Sequence, residues 1–269
     1  TMARVCAALG MRTALATAVG VDEASRRLLN DMGTAGIDTS LTAQHAGWRL
    51  PVTAAMSLPG DRAMLTVEDP LPVDVAAHLE HAAFTAHTII VDLRNNVGGL
   101  DEMAAQILGS FYPEPTFYEY QLGYNKNTKR FERMMADAEN DTEALYIRPA
   151  PDQYTGRVIA LVNSRCVSSG EGIAMGIRNL PNGDTLGFFG TNGSFGLSGS
   201  VAVMPGSLTV HWPCGQSLGE DGRVQLDSRD GVGGVAPTIR IPMTVENAIR
   251  VANGIDVELE AAVRLLMAE

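Results

Sequence analysis

The sequence predicts an α/β fold, a mixed sheet with flanking helices, and three observations carry that prediction. Apolar runs at residues 88–93 and 157–162 have the composition of covered strands, and each ends in a polar turn followed by a helical stretch. Hydrophobic residues make up 45% of the 269 residues and charged residues 19%, which suffices for a buried core. Because this order of strand, turn and helix implies right-handed crossovers, we expect both apolar strands in one sheet.

The first part of the chain alternates between short strands and helical segments. Residues 3–9 are predicted to end a helix that Gly10 closes, and residues 12–19 to form a short strand. Asp22 has the side chain of an N-cap and predicts a helix over residues 23–34. The segment therefore predicts one strand–helix unit.

A hairpin and a linker are predicted next. Residues 53–58 and 63–67 flank a Pro-Gly-Asp-Arg turn at 59–62, which favours a β-hairpin. The two prolines of Asp69–Pro72 remove backbone donors, so this segment is predicted to be an exposed linker. The remaining predicted elements are helices over residues 73–84, 101–108, 169–180 and 245–268, a polar stretch with a hairpin over 112–150, and short strands separated by glycine-rich turns over 185–241.

Charge and cysteine content exclude several classes of function. A net charge of −11 argues against binding to a nucleic-acid backbone, which needs clustered lysine and arginine. No apolar run reaches the roughly 18 residues of a membrane span, and no clear signal peptide is present, so we expect a cytoplasmic protein that does not bind membranes. The spacing of Cys6, Cys166 and Cys214 predicts no metal site and no disulfide framework, and it favours free thiols over a Cys166–Cys214 pair. No cofactor is predicted, and a homo-oligomer is left open.

A stretch from residue 3 to about residue 75 resembles an early segment of ribokinase-like sugar kinases. The resemblance rests on ARVCAALGMRTALATAVGVDEASRRLLNDMGTAGIDTS and on PVTAAMSLPGDRAML. It implies a Rossmann-like strand–helix unit, followed by the strands of a lid, within residues 1–85. The family's Gly-Gly sugar segment and its late Gly-Ala-Gly-Asp loop have no counterpart here. Without them there is no anion hole and no general base for phosphoryl transfer, so kinase activity is not expected.

Five pieces of the second half occur in the order of a different family. They are IIVDLRNNVGG (89–99), VIALVNSRCVSSGEGIA (158–174), LGFFGTNGSFG (186–196), GGVAPTIRIPMT (233–244) and DVELEAAVRLL (256–266). Residues from about 88 to 269 thereby resemble the catalytic half of tail-specific and tricorn-like serine peptidases. The resemblance implies an αβ domain, assigned to residues 86–269, that cleaves extended peptides through an acyl-enzyme.

The resemblance places the peptidase nucleophile at Ser168 and the oxyanion donors at Ser169 and at Gly98 or Gly99. The residues themselves support this, because Ser168 lies between an apolar strand and a helix, where the positive end of the helix dipole favours developing negative charge. Glycines at 98 and 99 allow a close approach of the backbone. The alternative is that Ser168 and Ser169 only cap the helix. Glu171 fills the family's acidic position and would complement the helix dipole.

The general base is the part of the site that the sequence does not supply. Processing peptidases of this family carry a lysine about 25 residues after the serine, but residues 191–196 contain none, and the two lysines, Lys126 and Lys129, lie upstream. The tricorn-like branch uses a histidine on a strand well before the DLR turn, where this chain carries its kinase-like stretch. The histidines of the chain are His45, His78, His81, His87 and His211, and His211 is expected to be packed in a strand. Asp227 and Asp230 are expected to be turn carboxylates. Trp48 and Trp212 are expected to be packing residues.

Two hypotheses follow. The first is a serine-peptidase-like hydrolase with Ser168 as nucleophile, impaired for want of a general base. In this hypothesis no histidine or lysine should lie within hydrogen-bond reach of the Ser168 hydroxyl. The second is a non-catalytic, composite α/β scaffold that joins a sugar-kinase fragment to a peptidase fragment.

Overall fold

A computed structural model describes residues 4, 7–8, 10, 12–14, 17–47, 52–58, 61–67, 88–134, 136–137, 142–199, 201–205, 208–226 and 233–267. The chain divides into two compact units, an N-terminal unit, Thr1–Ala86, and a C-terminal unit, His87–Glu269. The predicted linker at Asp69–Pro72 and the predicted helix over residues 73–84 lie outside the described residues. No helix in the described part of the chain is long and apolar enough to cross a membrane.

The N-terminal unit contains a strand–helix–strand arrangement and a hairpin. Strand β1 (Thr17–Val19) pairs in parallel with β2 (Thr42–Gln44), and helix α1 (Glu23–Thr34) connects them. Asp22 caps α1 as predicted, because its Oδ1 accepts a hydrogen bond from Ser25 N at 3.0 Å. The predicted hairpin is confirmed by the antiparallel pairing of β3 (Val52–Leu58) with β4 (Asp61–Val67). Of the strand predicted over residues 12–19, the described residues show β1 and a bridge from Ala14 to Asp38.

A four-stranded parallel sheet forms the centre of the C-terminal unit. Its strands are β5 (Thr88–Asp92), β9 (Arg157–Leu161), β10 (Gly183–Gly187) and β14 (Ile239–Arg240), in the spatial order β14-β10-β9-β5. Residues 158–162 are fully buried, as a strand covered on both faces should be. The prediction that the two apolar runs share one sheet is confirmed, because β5 and β9 are neighbours.

Two further sheets lie in the C-terminal unit. In an antiparallel sheet, β6 (Thr116–Asn125) pairs with β7 (Arg130–Arg133), β8 (Ala144–Ile147) and β13 (Gly215–Leu218). The β6–β7 pair is the hairpin predicted within residues 112–150. Strands β11 (Val201–Val203) and β12 (Thr209–His211) form a separate antiparallel ribbon.

Helices α2 (Asp101–Leu108) and α3 (Ser169–Asn179) follow β5 and β9 and pack against each other. Both match their predicted ranges to within one residue. The single closing helix predicted over residues 245–268 is wrong, because the structure has two helices, α4 (Val245–Ala252) and α5 (Val257–Met267). Gly254 has a φ of +80°, a left-handed conformation that ends α4 and turns the chain.

Candidate active site

The turns after β5 and β9 meet at one edge of the parallel sheet. Because these strands are adjacent and parallel, their carboxyl ends lie side by side. Asn96 joins the turns, since its carbonyl oxygen accepts a hydrogen bond from Val167 N at 3.0 Å. The edge therefore holds the Gly98-Gly99 turn against the beginning of α3, where the sequence placed the candidate nucleophile.

Ser168 lies at the N-terminus of α3 in an unusual backbone conformation. Its φ is +55° and its ψ −132°, a combination that costs a non-glycine residue on the order of 1–3 kcal/mol. Surrounding bonds hold it there: its N–H donates to Ser194 O at 3.1 Å, and its carbonyl oxygen accepts from Glu171 N at 2.8 Å. The side chain makes no capping bond, and its hydroxyl has no hydrogen-bond partner among the described residues. The capping alternative is thus wrong for Ser168, whose hydroxyl is left available.

Ser169 does not cap the helix with its side chain either. Its hydroxyl donates instead to Asp101 Oδ1 at 2.7 Å, in a buried hydrogen bond to the first residue of α2. Its backbone N–H has no acceptor among the described residues. This N–H is the one expected to stabilise an oxyanion formed at Ser168.

Gly98 lies in direct contact with Ser168. A Cβ placed on Gly98 would fall 2.6 Å from Ser168 Cβ and 3.1 Å from its Oγ, and the φ of Gly98 is +94°. The close approach expected between the glycine turn and the serine is therefore present. The Gly98 N–H donates to Asn96 Oδ1 at 2.8 Å, whereas the Gly99 N–H has no acceptor within the described chain. Of the two candidate donors, Gly99 is therefore the one whose N–H is unoccupied within the described chain.

A cavity of about 370 Å³ opens at Ser168. It is lined by Val97, Val167, Ser168, Ser194, Gly196, Leu197, Ser198, Gly199, His211, Trp212 and Pro213. The prediction that His211 is packed is wrong, because His211 is exposed on β12 and lines this cavity. The reason is that the two-stranded ribbon is not covered, so strand periodicity does not bury its side chains. Trp212 is likewise 46% exposed, which corrects its expected packing role.

Glu171 fixes one wall of the cavity. The carboxylate is fully buried and accepts hydrogen bonds from Thr191 Oγ1 at 2.6 Å, Gly193 N at 2.6 Å and Ser194 N at 2.7 Å. Ser194 in turn accepts the Ser168 N–H. The position of Glu171 in the first turn suits the helix dipole, but its contacts make it the anchor of the loop that accepts the Ser168 N–H.

Arg94 secures the base of the glycine turn. It forms ion pairs with Asp92 at 2.7 Å, Asp256 at 2.7 Å and Glu258 at 3.2 Å, and its side chain is 16% exposed. The hydrogen bond to Asp92 raises the pKa of Arg94, so its charge is permanent. Burial alone would raise the pKa of Asp256, but the hydrogen bond to Arg94 holds that pKa below its usual value. Glu258 Oε1 also accepts from Phe188 N at 2.8 Å, which extends the anchor to the end of β10.

Sequence reasoning missed two buried carboxylates behind Ser169. Asp101 is 9% exposed and Glu119, on β6, is 1% exposed. Gln121 Nε2 donates to Asp101 Oδ2 at 3.2 Å and to Glu119 Oε1 at 2.8 Å. No local sequence pattern predicts this buried pair, because the pattern of α2 is typical of a surface helix and that of β6 is typical of a polar strand.

None of the described histidines and lysines lies within hydrogen-bond distance of the Ser168 hydroxyl. Lys126 and Lys129 are exposed in the β6–β7 turn, which argues against a Ser–Lys dyad with either. His45 belongs to the N-terminal unit. Other candidates for proton transfer lie outside the described residues, namely His78, His81, His87, Asp227 and Asp230; Trp48 lies outside them too.

The described cysteines are free thiols, as predicted. Cys166 is buried, and burial together with the nearby charge of Glu171 raises its pKa to about 12. A thiol with that pKa is protonated at neutral pH, so Cys166 is a packing residue beside α3.

Comparison with known proteins decides the family. The family model described as Peptidase family S41 matches residues 73–241. The chain belongs to this family. The match contains β5, β9 and the Ser168 junction, and it supports the peptidase resemblance stated from the sequence. The kinase resemblance of residues 3–75 is not shown by these comparisons.

Solved peptidase structures share the fold. A candidate peptidase from Parabacteroides merdae is 20% identical with a TM-score of 0.53, and the match covers 82% of this chain and 66% of that one. Mature CPAF is 15% identical with a TM-score of 0.54, and the match covers 83% of this chain and 55% of that one. The chain thus spans between 55% and 66% of the length of these relatives. A comparison with curated proteins gave no match.

Proposed function

We propose that the C-terminal unit is a serine-type peptidase domain in which Ser168 is the nucleophile. The observation that carries the proposal is the geometry of Ser168: a strained residue at a helix N-terminus, with a hydroxyl free of hydrogen bonds within the described chain and in contact with Gly98. Strain of this kind persists where the surrounding structure fixes it, and it clusters at active sites. Membership of a peptidase family supports the same assignment.

The chemistry follows from this placement. Ser168 Oγ attacks the carbonyl carbon of a peptide bond and passes its proton to a general base. The resulting oxyanion is stabilised by the N–H groups of Ser169 and Gly99, with Gly98 providing the close approach. Collapse of the tetrahedral intermediate releases the amine, which takes up a proton, and leaves an acyl-enzyme that water hydrolyses.

Turnover is expected to be weak. The Ser168 hydroxyl has no histidine or lysine partner among the described residues, and oxyanion donors with substrate binding alone leave only about 10³-fold acceleration over water. His211 lines the same cavity without a hydrogen bond to Ser168. Ser168 is therefore expected to react with an activated phosphonate much more readily than with a peptide.

The substrate class that fits is an extended peptide with an apolar side chain. Leu197, Trp212 and Val97 line the cavity beside Ser168 and offer apolar surface to such a side chain. The β11–β12 ribbon, which carries His211 to the cavity, is a sheet to which an extended peptide could add a strand. These features support a peptide or protein as the partner of this site.

The test is labelling with a fluorophosphonate probe, followed by mass spectrometry of the modified peptide. We expect covalent modification at Ser168, its loss in Ser168→Ala, and slow cleavage of casein. Cys166→Ser is the matched control, because it changes one small side chain in the same junction between β9 and α3 and leaves Ser168 in place. Absence of labelling in the wild-type protein across the pH range would refute the nucleophile assignment. Rapid casein cleavage that Ser168→Ala abolishes would refute the expected impairment.

The second candidate is a non-catalytic composite in which residues 1–85 form a ribokinase-like segment and residues 86–269 a peptidase-like domain. The order of the parallel β1–β2 pair joined by α1 and the β3–β4 hairpin is the order that the kinase resemblance implies, but it is also common to many other folds. Failure of the probe to label Ser168 would favour this composite. The cytoplasmic location predicted from the sequence stays a prediction, which cell fractionation tests.

A further inference from the structure

Asp101 and Glu119 form a buried acidic pair that the proposed mechanism does not use. Each is nine-tenths or more buried, and within the described chain neither forms an ion pair with a lysine, arginine or histidine. Gln121 Nε2 donates to both carboxyl groups and so holds them side by side. Burial raises the pKa of each carboxyl group, and the charge of Asp101 adds to the rise for Glu119. Two adjacent buried carboxylates without a cation cannot both be ionised without a large repulsion.

The pair is connected directly to the candidate oxyanion donor. Asp101 Oδ1 accepts the Ser169 hydroxyl at 2.7 Å, and Gln121 Nε2 bridges both carboxyl groups. Ser217 on β13 hydrogen bonds to Glu119 and accepts from Gln225 Nε2 at 3.0 Å. The donors Ser169, Gln121 and Ser217 favour the charged carboxylates, whereas burial and the repulsion between the two groups favour retention of one proton.

A second observation points to the same place. Tyr118, next to Glu119 on β6, is 2% exposed, and its hydroxyl has no hydrogen-bond partner within the described chain. The ring lies against α3, because a Cβ on Gly172 would collide with Tyr118 Oη. Burial, together with the negative charge of the acidic pair, raises the pKa of Tyr118 well above its ordinary value, so this group stays neutral beside the pair.

We propose that Asp101 and Glu119 share one proton and act as positioning residues, holding Ser169 and, through it, the strained Ser168 in the reactive geometry. The proposal rests on the proposed function of Ser168. The groups around the pair are the charged Glu102 on α2, the neutral Tyr118 on β6, and the hydroxyls of Ser169 on α3 and Ser217 on β13. Loss of the shared proton leaves two repelling carboxylates under the first turn of α3, so the reactivity of Ser168 should fall at alkaline pH.

The sign of the effect on folding is fixed by the direction of the pKa shift. Burial raises the pKa of Glu119 to about 8, so the folded protein holds a proton that the unfolded chain releases near its ordinary value of 4.5. The stabilisation is present below the unfolded value and is lost as the pH rises towards the folded value. Over that window the folding equilibrium constant falls up to about tenfold for each pH unit.

The experiment compares the wild-type full chain with Glu119→Gln and with Glu220→Gln, an exposed glutamate that serves as the matched control. Glu119→Gln keeps an N–H donor for Asp101 and cannot lose a proton. Urea unfolding and the rate of fluorophosphonate labelling are measured between about pH 6 and pH 10, on both sides of the raised pKa. We expect the ratio of labelling rates, Glu119→Gln over wild type, to rise at least about tenfold across this range, while the ratio for Glu220→Gln stays constant.

Each outcome decides a separate claim. If Glu119→Gln and wild type lose stability identically between about pH 6 and pH 8, the shared proton is refuted. If the stabilities diverge as expected but the labelling ratio stays flat, the positioning role is refuted. If stability diverges and the wild type is never labelled, the proposed function fails while the proton-sharing pair stands. Should Glu119→Gln fail to fold, carbon-13 titration of the wild-type carboxyl groups decides the question, since the absence of a carboxyl titrating far above its ordinary range would overturn the proposal.

Discussion

Replacing Gly98 with alanine should displace Ser168 and lower the stability of the C-terminal unit. At a φ of +94° an L-residue costs about 1–2 kcal/mol. The new Cβ would also lie 2.6 Å from Ser168 Cβ and 3.2 Å from Val167 O, and neither atom can move without shifting the backbone. Overpacking of this kind costs about 1–3 kcal/mol, so the C-terminal unit should lose about 2–5 kcal/mol in its free energy of unfolding.

Gly222→Ala separates the two contributions to that loss. Gly222 has a φ of +76°, but no heavy atom lies within 4 Å of the position that a Cβ would occupy, so this variant reports the backbone cost alone, about 1–2 kcal/mol. Urea denaturation measures both variants, and fluorophosphonate labelling measures the reactivity of Ser168. We expect Gly98→Ala to be the less stable variant and to lose labelling, while Gly222→Ala is labelled at the wild-type rate. Equal stability and equal labelling of the two variants would refute the inferred contact between Gly98 and Ser168.

Three further changes test the supports of the site and the cap of α1. Glu171→Gln should lower the free energy of unfolding, measured in urea, by about 2–3 kcal/mol, because the side-chain N–H₂ of glutamine would face hydrogen-bond donors. A loss below about 0.5 kcal/mol would contradict the three observed hydrogen bonds. Arg94→Ala should lower the free energy of unfolding by about 2–4 kcal/mol. Because the pKa of Asp256 is lowered in the folded protein, the stability difference between wild type and variant should be present above about pH 4 and shrink at lower pH. A difference that acid does not change would refute this linkage. Asp22→Ala should lower the free energy of unfolding of the N-terminal unit by about 1 kcal/mol, as measured by thermal denaturation. Asp22→Asn should retain most of the stabilisation that the cap provides.

Local sequence signals were sufficient for the elements that position Ser168. The apolar runs that became β5 and β9, and the turns before α2 and α3, depend on residues within one element, so periodicity and turn chemistry could locate them. The break in the C-terminal helix was also encoded, since Gly254 interrupts the periodic run and should have been interpreted as a helix end.

The rest of the site depends on contacts between distant parts of the chain. Glu119 is buried on β6, which pairs with β13 about a hundred residues later in the chain, and no local pattern reports that pairing. The exposure of His211 arises from the number of strands in its sheet rather than from the strand itself. The bond from the Gly98 N–H to Asn96 Oδ1 is local, spanning two residues, but it depends on the exact conformation of the turn, which periodicity does not report.

The Arg94 network has a consequence for where this domain can be cut. The family match ends at residue 241, which keeps Ser168 and all four strands of the parallel sheet. Two of the three acidic partners of Arg94, Asp256 and Glu258, lie beyond that point. A fragment trimmed at the end of the family match would leave a largely buried guanidinium with Asp92 as its remaining ion-pair partner and would uncover the end of β10. A fragment designed to keep the Arg94 ion pairs of the C-terminal unit should therefore extend through α5.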